Sequence, residues 1–189
     1  LPLVMREYVI SPTPSPTETP SSLLQNGSFE KGWTDMETGQ QPNNWQWHWV
    51  DGGTPPGGEV ATVRPETNVK GKDQIPSYEH DLFFREGWYC VKIFTREAPI
   101  YAALSQDVSG LEVGRQYRFT VPMYVDVLAG YDGGQKIAPS DPYAAEVRLG
   151  LAPADATWPE GPILYSEPWN GANTSDFYLS KHDFTSDLT

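Results

Sequence analysis

Five runs of β-branched and aromatic residues, each closed by a glycine- or proline-rich turn, constrain this chain more than any other feature. They are VATVRP (Val60–Pro65), GWYCVKIFT (Gly87–Thr95), IYAALSQDV (Ile100–Val108), QYRFTVPMYVDVLA (Gln116–Ala129) and AAEVRLGLA (Ala144–Ala152). The turn signals include DGGTPPGG (Asp51–Gly58), SGLEVG (Ser109–Gly114) and YDGGQ (Tyr131–Gln135). Successive side chains of a strand point to opposite faces. In the fourth run Tyr117, Phe119 and Val121 fall on one face, with Gln116, Arg118 and Thr120 on the other. No stretch sustains a capped i, i+3, i+4, i+7 apolar pattern. With 17 Gly, 18 Pro and 13% aromatic residues, the expected fold is all-β, with many short strands in a two-sheet antiparallel β-sandwich or a barrel.

The start of the chain does not fit that domain. LPLVMREYVI (Leu1–Ile10) is apolar enough for a core, yet SPTPSPTETPSS (Ser11–Ser22) follows at once. Three parts are expected: an apolar strand over 1–10, an extended Ser/Thr/Pro-rich linker over 11–22, and the β-sandwich over 23–189. Read as a strand, Leu1, Leu3, Met5 and Val9 share one face, interrupted only by Glu7, while Val4, Tyr8 and Ile10 share the other. The decamer is too short for a membrane span, carries Arg6 and Glu7, and lacks a signal-peptide apolar core. A Ser/Thr/Pro spacer is the composition of exposed stalks, so an extracellular or cell-surface location is expected. Leu1 is not a start methionine, and the expectation is a chain matured after export. A net charge of −12 argues against nucleic acid as a partner. The lone Cys90, inside an apolar run, reads as a small buried hydrophobe and leaves the redox compartment open.

Two stretches carry a family resemblance. LLQNGSFEKGW (Leu23–Trp33) and LSQDVSGLEVGRQYRFTVPMYVD (Leu104–Asp126) resemble the opening signature and the turn-plus-strand motif of the jelly-roll carbohydrate-binding modules of the family 4/9/22 type, within the galactose-binding-like sandwiches. GWYCVKIF sits where that family has a middle core strand, and the resemblance covers about Leu23 to Trp169. It implies a jelly roll and polysaccharide binding. It also implies a structural calcium ion, with Glu30 at the position of the family's glutamate ligand. Relatives continue past the position of DFYLSKHDFTSDLT (Asp176–Thr189) into one more apolar strand. The resemblance therefore implies a sandwich that is one strand short.

The residues themselves offer a binding element and little catalysis. In NNWQWHWV (Asn43–Val50), Trp45, Trp47 and Trp49 would share one strand face, as a platform for sugar rings or as core filling. Trp158, Trp169 and Tyr165 lie in a Pro-rich region that could line a rim. Calcium needs six to eight oxygens, and no EF-hand-like loop surrounds Glu30. The three histidines form no metalloprotease spacing, and there is no nucleophile elbow or phosphate loop, so no catalytic residue and no other cofactor is assigned. Asn26-Gly27-Ser28 and Asn173-Thr174-Ser175 match the glycosylation pattern; the first lies inside the family signature.

An apolar strand detached from a sheet that lacks one suggests donor-strand complementation. The interface residues would be Leu1, Leu3, Val4, Met5, Tyr8, Val9 and Ile10. About eleven spacer residues at about 3.1 Å each reach roughly 34 Å, enough to enter the next copy or to fold back. Two functions remain in view. One is a non-catalytic structural subunit polymerising head to tail with copies of itself. The other is a carbohydrate-binding module with the spacer as an interdomain linker.

Overall fold

A computed structural model describes residues 3–5, 9–12, 22–85, 87–96, 99–112, 114–127, 129–133, 135–137, 145–170 and 181–188, with 3–5, 9–12 and 181–188 described by their backbone pairing. The described strands are β1 (Leu3–Met5), β2 (Val9–Pro12), β3 (Trp33–Met36), β4 (Gly39–Pro42), β5 (Gln46–Trp49), β6 (Glu66–Gly71), β7 (Tyr89–Phe94), β8 (Ala102–Ser105) and β9 (Tyr117–Val125), followed by β10 (Gly130–Asp132), β11 (Gln135–Ile137), β12 (Glu146–Val147), β13 (Gly150–Leu151), β14 (Leu164–Tyr165), β15 (Trp169–Asn170) and β16 (Lys181–Leu188). Helical structure among the described residues is confined to two 3-10 turns, Lys72–Gln74 and Ser77–Glu79, and one turn of helix α1 (His80–Phe83). The chain is all-β, as expected.

The largest sheet runs β16-β9-β1-β7-β6-β4-β3, with β2 also lying along β9. Its described ladders are antiparallel except for a single parallel bridge between Gly39 and Thr67. One face of this sheet carries Val69, Val91, Ile93, Phe119, Val121 and Met123, which pack with Phe29, Trp45, Trp47 and Leu149. The β5–β8 ladder supplies part of that packing, with Trp47 opposite Leu104. On the other face Cys90 and Tyr124 pack under Phe84, with Ile75, Leu82 and Phe83 around them. The double covering explains β9. Its first four residues alternate in burial, but Val121–Val125 is buried throughout, as in a strand covered on both faces.

The described strands differ from those read in the sequence at three places. VATVRP is not a strand. Thr62 instead pins the loop before it, its Oγ1 donating to the carbonyls of Val50 (2.7 Å) and Gly53 (3.0 Å). The neighbouring strand is β6, whose polar ETNVKG sequence hides a buried alternation of Thr67, Val69 and Gly71. The C-terminal segment, in which the sequence shows no apolar strand, forms β16 and pairs along β9 from Lys181↔Tyr124 to Leu188↔Tyr117. Its charged residues concealed it, since charge is common on strands at the border of a sheet.

Candidate functional site

The apolar strand that the sequence sets apart from the domain lies in the middle of the largest sheet. β1 sits between β7 and β9, in three rows: Ile93–Leu3–Val125, Lys92–Val4–Tyr124 and Val91–Met5–Met123. No direct β7–β9 pairing occurs among the described residues. Neighbouring strands lie about 4.8 Å apart, so β7 and β9 stand about two spacings apart, and β1 fills the gap. The flanking residues are interior ones: Val91 and Val125 are 0% exposed, Ile93, Met123 and Tyr124 2%. Without β1, two strands would present unsatisfied backbone groups to each other in the centre of a sheet. Each such group costs about 1–3 kcal/mol when buried without a partner.

The slot has two chemically different sides. Of the residues paired with Leu3 and Met5, Ile93, Val91 and Met123 belong to the main core, and Val125 packs with Ala145 and Trp169. The row through Val4 is flanked by Lys92 and Tyr124 on the other face. Tyr124 stacks edge-on with Phe83, ring centroids 5.2 Å apart. The Lys92 ammonium lies 4.3 Å from the Phe94 ring centroid. Burial holds this amine below the usual lysine range, Lys70 adds to the effect, and Asp126, Cys90 and Glu66 oppose it.

Of the residues expected at the strand interface, Leu3, Val4 and Met5 lie in β1 and Val9 and Ile10 in β2. Leu1 and Tyr8 fall outside the described residues. The strand pairs within its own chain. β2 continues along β9, with Val9 opposite Thr120 and Pro12 opposite Tyr117.

The tryptophan platform requires correction. Trp45 and Trp47 are 4% and 5% exposed and belong to the core, and only Trp49 is half-buried, with the Arg64 guanidinium 4.5 Å from its ring centroid. The alternation was right, but the shared face points inward. Both indole N–H groups reach backbone carbonyls, Trp45 that of Asn26 and Trp47 that of Gln40, each at 3.0 Å, so the rings are buried without a wasted donor. The aromatic surface lies on the other side of the same ladder. There His48 contacts Ser105 Oγ through Nε2 (2.8 Å) and approaches Trp158, whose ring centroid is 4.7 Å from that of Tyr101. His48 in the alternate row of the tryptophan strand was the available signal.

Glu30 is committed to protein contacts. Its Oε1 accepts the backbone N–H groups of Trp88 (2.7 Å) and Tyr89 (2.9 Å), latching the first turn onto the start of β7. Gly87, at φ +65°, lies so close that a Cβ would overlap the same oxygen. No group of three His, Cys, Asp or Glu side chains that could hold a metal occurs among the described residues. In this structure the Glu30 Oε1 atom serves as a backbone latch between the first turn and β7.

Asn26 is 2% exposed. Its Nδ2 donates to the carbonyls of Asn43 (2.9 Å) and Gly32 (3.3 Å), and its Oδ1 accepts the Lys31 N–H (2.7 Å), so this sequon is closed in the folded chain. Asn173 lies outside the described residues. Among the described residues no helix is long and apolar enough to cross a membrane. Comparison with protein-family models, curated proteins and solved structures finds no match to this chain.

Proposed function

We propose that this chain is a non-catalytic structural subunit of an extracellular assembly, joined to other copies by exchange of the strand formed by residues 3–12. The observation that carries the reading is the occupancy of a central sheet position by a strand held through a ten-residue Ser/Thr/Pro spacer, residues 13–22. A strand in that position contributes the same contacts whichever copy supplies it, which is the condition for domain exchange.

The spacer supports exchange over closure. Pro12 stands opposite Tyr117, at the start of β9. Where the spacer re-enters the domain, Gln25 is held by Gln106, just after β8, through two 2.7 Å hydrogen bonds. Leu23, Leu24, Val108 and Leu111 pack around the same core cluster as Tyr117. Both ends of the spacer thus lie at the end of the domain where β8 turns into β9. Closing its own slot requires the spacer to double back, whereas a Pro-rich segment prefers an extended path of about 3.1 Å per residue, roughly 31 Å for ten. The contact is head-to-tail and propagates if its rotation does not close. The core between the large sheet and the β5–β8 ladder supports the finer reading of the domain as a two-sheet jelly-roll sandwich.

A register-matched disulfide tests the proposal. Ser11 stands opposite Arg118 across the β2–β9 ladder. With Ser11→Cys and Arg118→Cys, oxidation is expected to give a ladder of covalent multimers on non-reducing gels. Cross-linked monomer alone, at every concentration, would overturn strand exchange.

A second reading, polysaccharide binding, is favoured by the His48–Tyr101–Trp158 group rather than by Trp45 and Trp47. It requires polysaccharide retention that Trp158→Ala abolishes and that removal of the 3–12 strand leaves intact.

A further inference from the structure

The outer side of the β5–β8 ladder is a face with two halves. At the end where β8 turns into β9 lies a polar cleft of about 220 Å³, lined by Gln25, Asn44, Gln46, Ser105 and Gln106 among others. The Gln106 amide is spent on backbone there. Its Nε2 donates to the carbonyls of Gln25 (2.7 Å) and Asn44 (2.8 Å), and its Oε1 accepts the Gln25 N–H (2.7 Å). The side-chain amides of Gln25, Asn44 and Gln46 make no hydrogen bond among the described residues. Ser105 joins the cleft to the aromatic half: its Oγ contacts His48 Nε2 (2.8 Å), and the Trp158 ring lies beside those of His48 and Tyr101. From Ser105 back to Tyr101 is four residues of extended chain, roughly 13 Å.

We propose that this face is a docking site for the proline-rich spacer, residues 13–22, of its own chain. Three observations choose that occupant. The first is chemistry. A proline-rich segment favours the polyproline II form, which makes no hydrogen bonds of its own and leaves its carbonyls and proline rings to be met from outside. The cleft offers amide donors for the carbonyls, and His48, Tyr101 and Trp158 offer rings for the prolines. The second is shape. The Tyr101 and Trp158 rings are inclined at 52°, with centroids 4.7 Å apart. Coplanar rings would make a flat platform for a run of sugars, whereas inclined rings make a wedge suited to a proline ring. The third is tethering. Gln25, three residues beyond the spacer, is held at the cleft, so the spacer meets this face at an effective concentration in the millimolar range and fills even a weak site. The consequence rests on the exchange reading above. A spacer laid from the cleft toward Tyr101 and Trp158 leads away from the end of the domain where Pro12 stands opposite Tyr117. It draws the strand formed by residues 3–12 away from its own slot and presents it to a neighbour.

A photo-reactive benzoylphenylalanine in place of Ala103, opposite His48 in the ladder, reads the contact in the full chain. After irradiation, peptide mass spectrometry should map its cross-links to residues 13–22. Trp158→Ala should lower their yield at least about fivefold, while Trp158→Phe, which keeps a ring, should retain most of it. Cross-links that avoid the spacer would overturn the proposal. Joined to retention of the chain on insoluble xylan that Trp158→Ala abolishes, they would assign the face to polysaccharide instead. Should the Ala103 variant not fold, the same label at Gln46, exposed and opposite Ser105, decides in the same way. Multimer size tests strand exchange separately. Spacer cross-links in a chain that stays monomeric would sink exchange and leave docking standing, and multimers without such cross-links would do the reverse.

Discussion

Individual side chains here serve mainly to hold backbone in place. Asn26 takes a positive φ of 54° and spends its whole amide on three backbone groups, which fixes the turn that carries Phe29 into the core. The glycosylation pattern at this position is a by-product of that role. His48 is different, because its environment couples it to pH. Burial lowers its pKa from the ordinary 6.5, so the folded chain binds the imidazole proton less readily than the unfolded chain does. Its contribution to stability is therefore complete above 6.5 and is lost as pH falls through 6.5 and the lower folded-state value. The melting temperature should drop between about pH 7.5 and about pH 5, and His48→Gln should reduce that drop. An identical drop in the variant would assign the pH dependence to other groups. The alternation that produced the tryptophan row was readable at this scale; its inward direction was not. A period of two gives the same pattern for a buried row and for a displayed one.

At the scale of elements, legibility followed apolar content. The runs over 87–95, 100–108 and 116–129 correspond to β7, β8 and β9, because β-branched and aromatic residues at alternating positions match a half-buried strand. β6 and β16 escaped because their pairing is carried by backbone in polar sequence, ETNVKG and KHDFTSDL. The slot was legible only as a mismatch between an isolated apolar strand and the domain after it. Its central position depends on long-range pairing that local sequence does not encode. The β3–β4 hairpin shows the same dependence. Gly39, at φ +130°, bridges to Thr67, and a Cβ there would overlap the Thr67 carbonyl oxygen. Gly39→Ala should destabilise the chain by on the order of 2–3 kcal/mol, seen as a lower urea midpoint at unchanged slope. Gly52, at φ +74° with no atom within 4 Å of the place a methyl group would take, isolates the backbone term; Gly52→Ala should cost only about 1 kcal/mol. Equal losses at the two sites would mean that the close approach of β4 to β6 contributes nothing.

For the whole molecule, the balance between closure and exchange is a competition between local concentration and spacer stiffness. A short flexible linker holds its own strand near the slot at an effective concentration in the millimolar range, which favours a closed monomer at ordinary protein concentrations. Stiffness counters this. Ten residues as a flexible coil have a typical end-to-end distance of about 17–19 Å, against about 31 Å when extended as polyproline helix. The two ends of this spacer lie at the same end of the domain, so the extended form is the wrong shape for closure and suits a neighbouring slot. The net charge of −12 works against association, because copies of like charge repel over about 10 Å at 0.1 M salt and further in more dilute salt. Replacing Pro14, Pro16 and Pro20 with glycine leaves every strand residue and every slot residue unchanged, and alters only the shape of the connection. Light scattering across a concentration series should then show the multimer distribution shifting to monomer, while thermal stability at low concentration stays the same or rises. The parent chain should multimerise more readily as salt is raised, through screening of the repulsion between copies. If the glycine spacer leaves the distribution unchanged, spacer stiffness does not direct the strand outward, and the slot is filled from within the same chain.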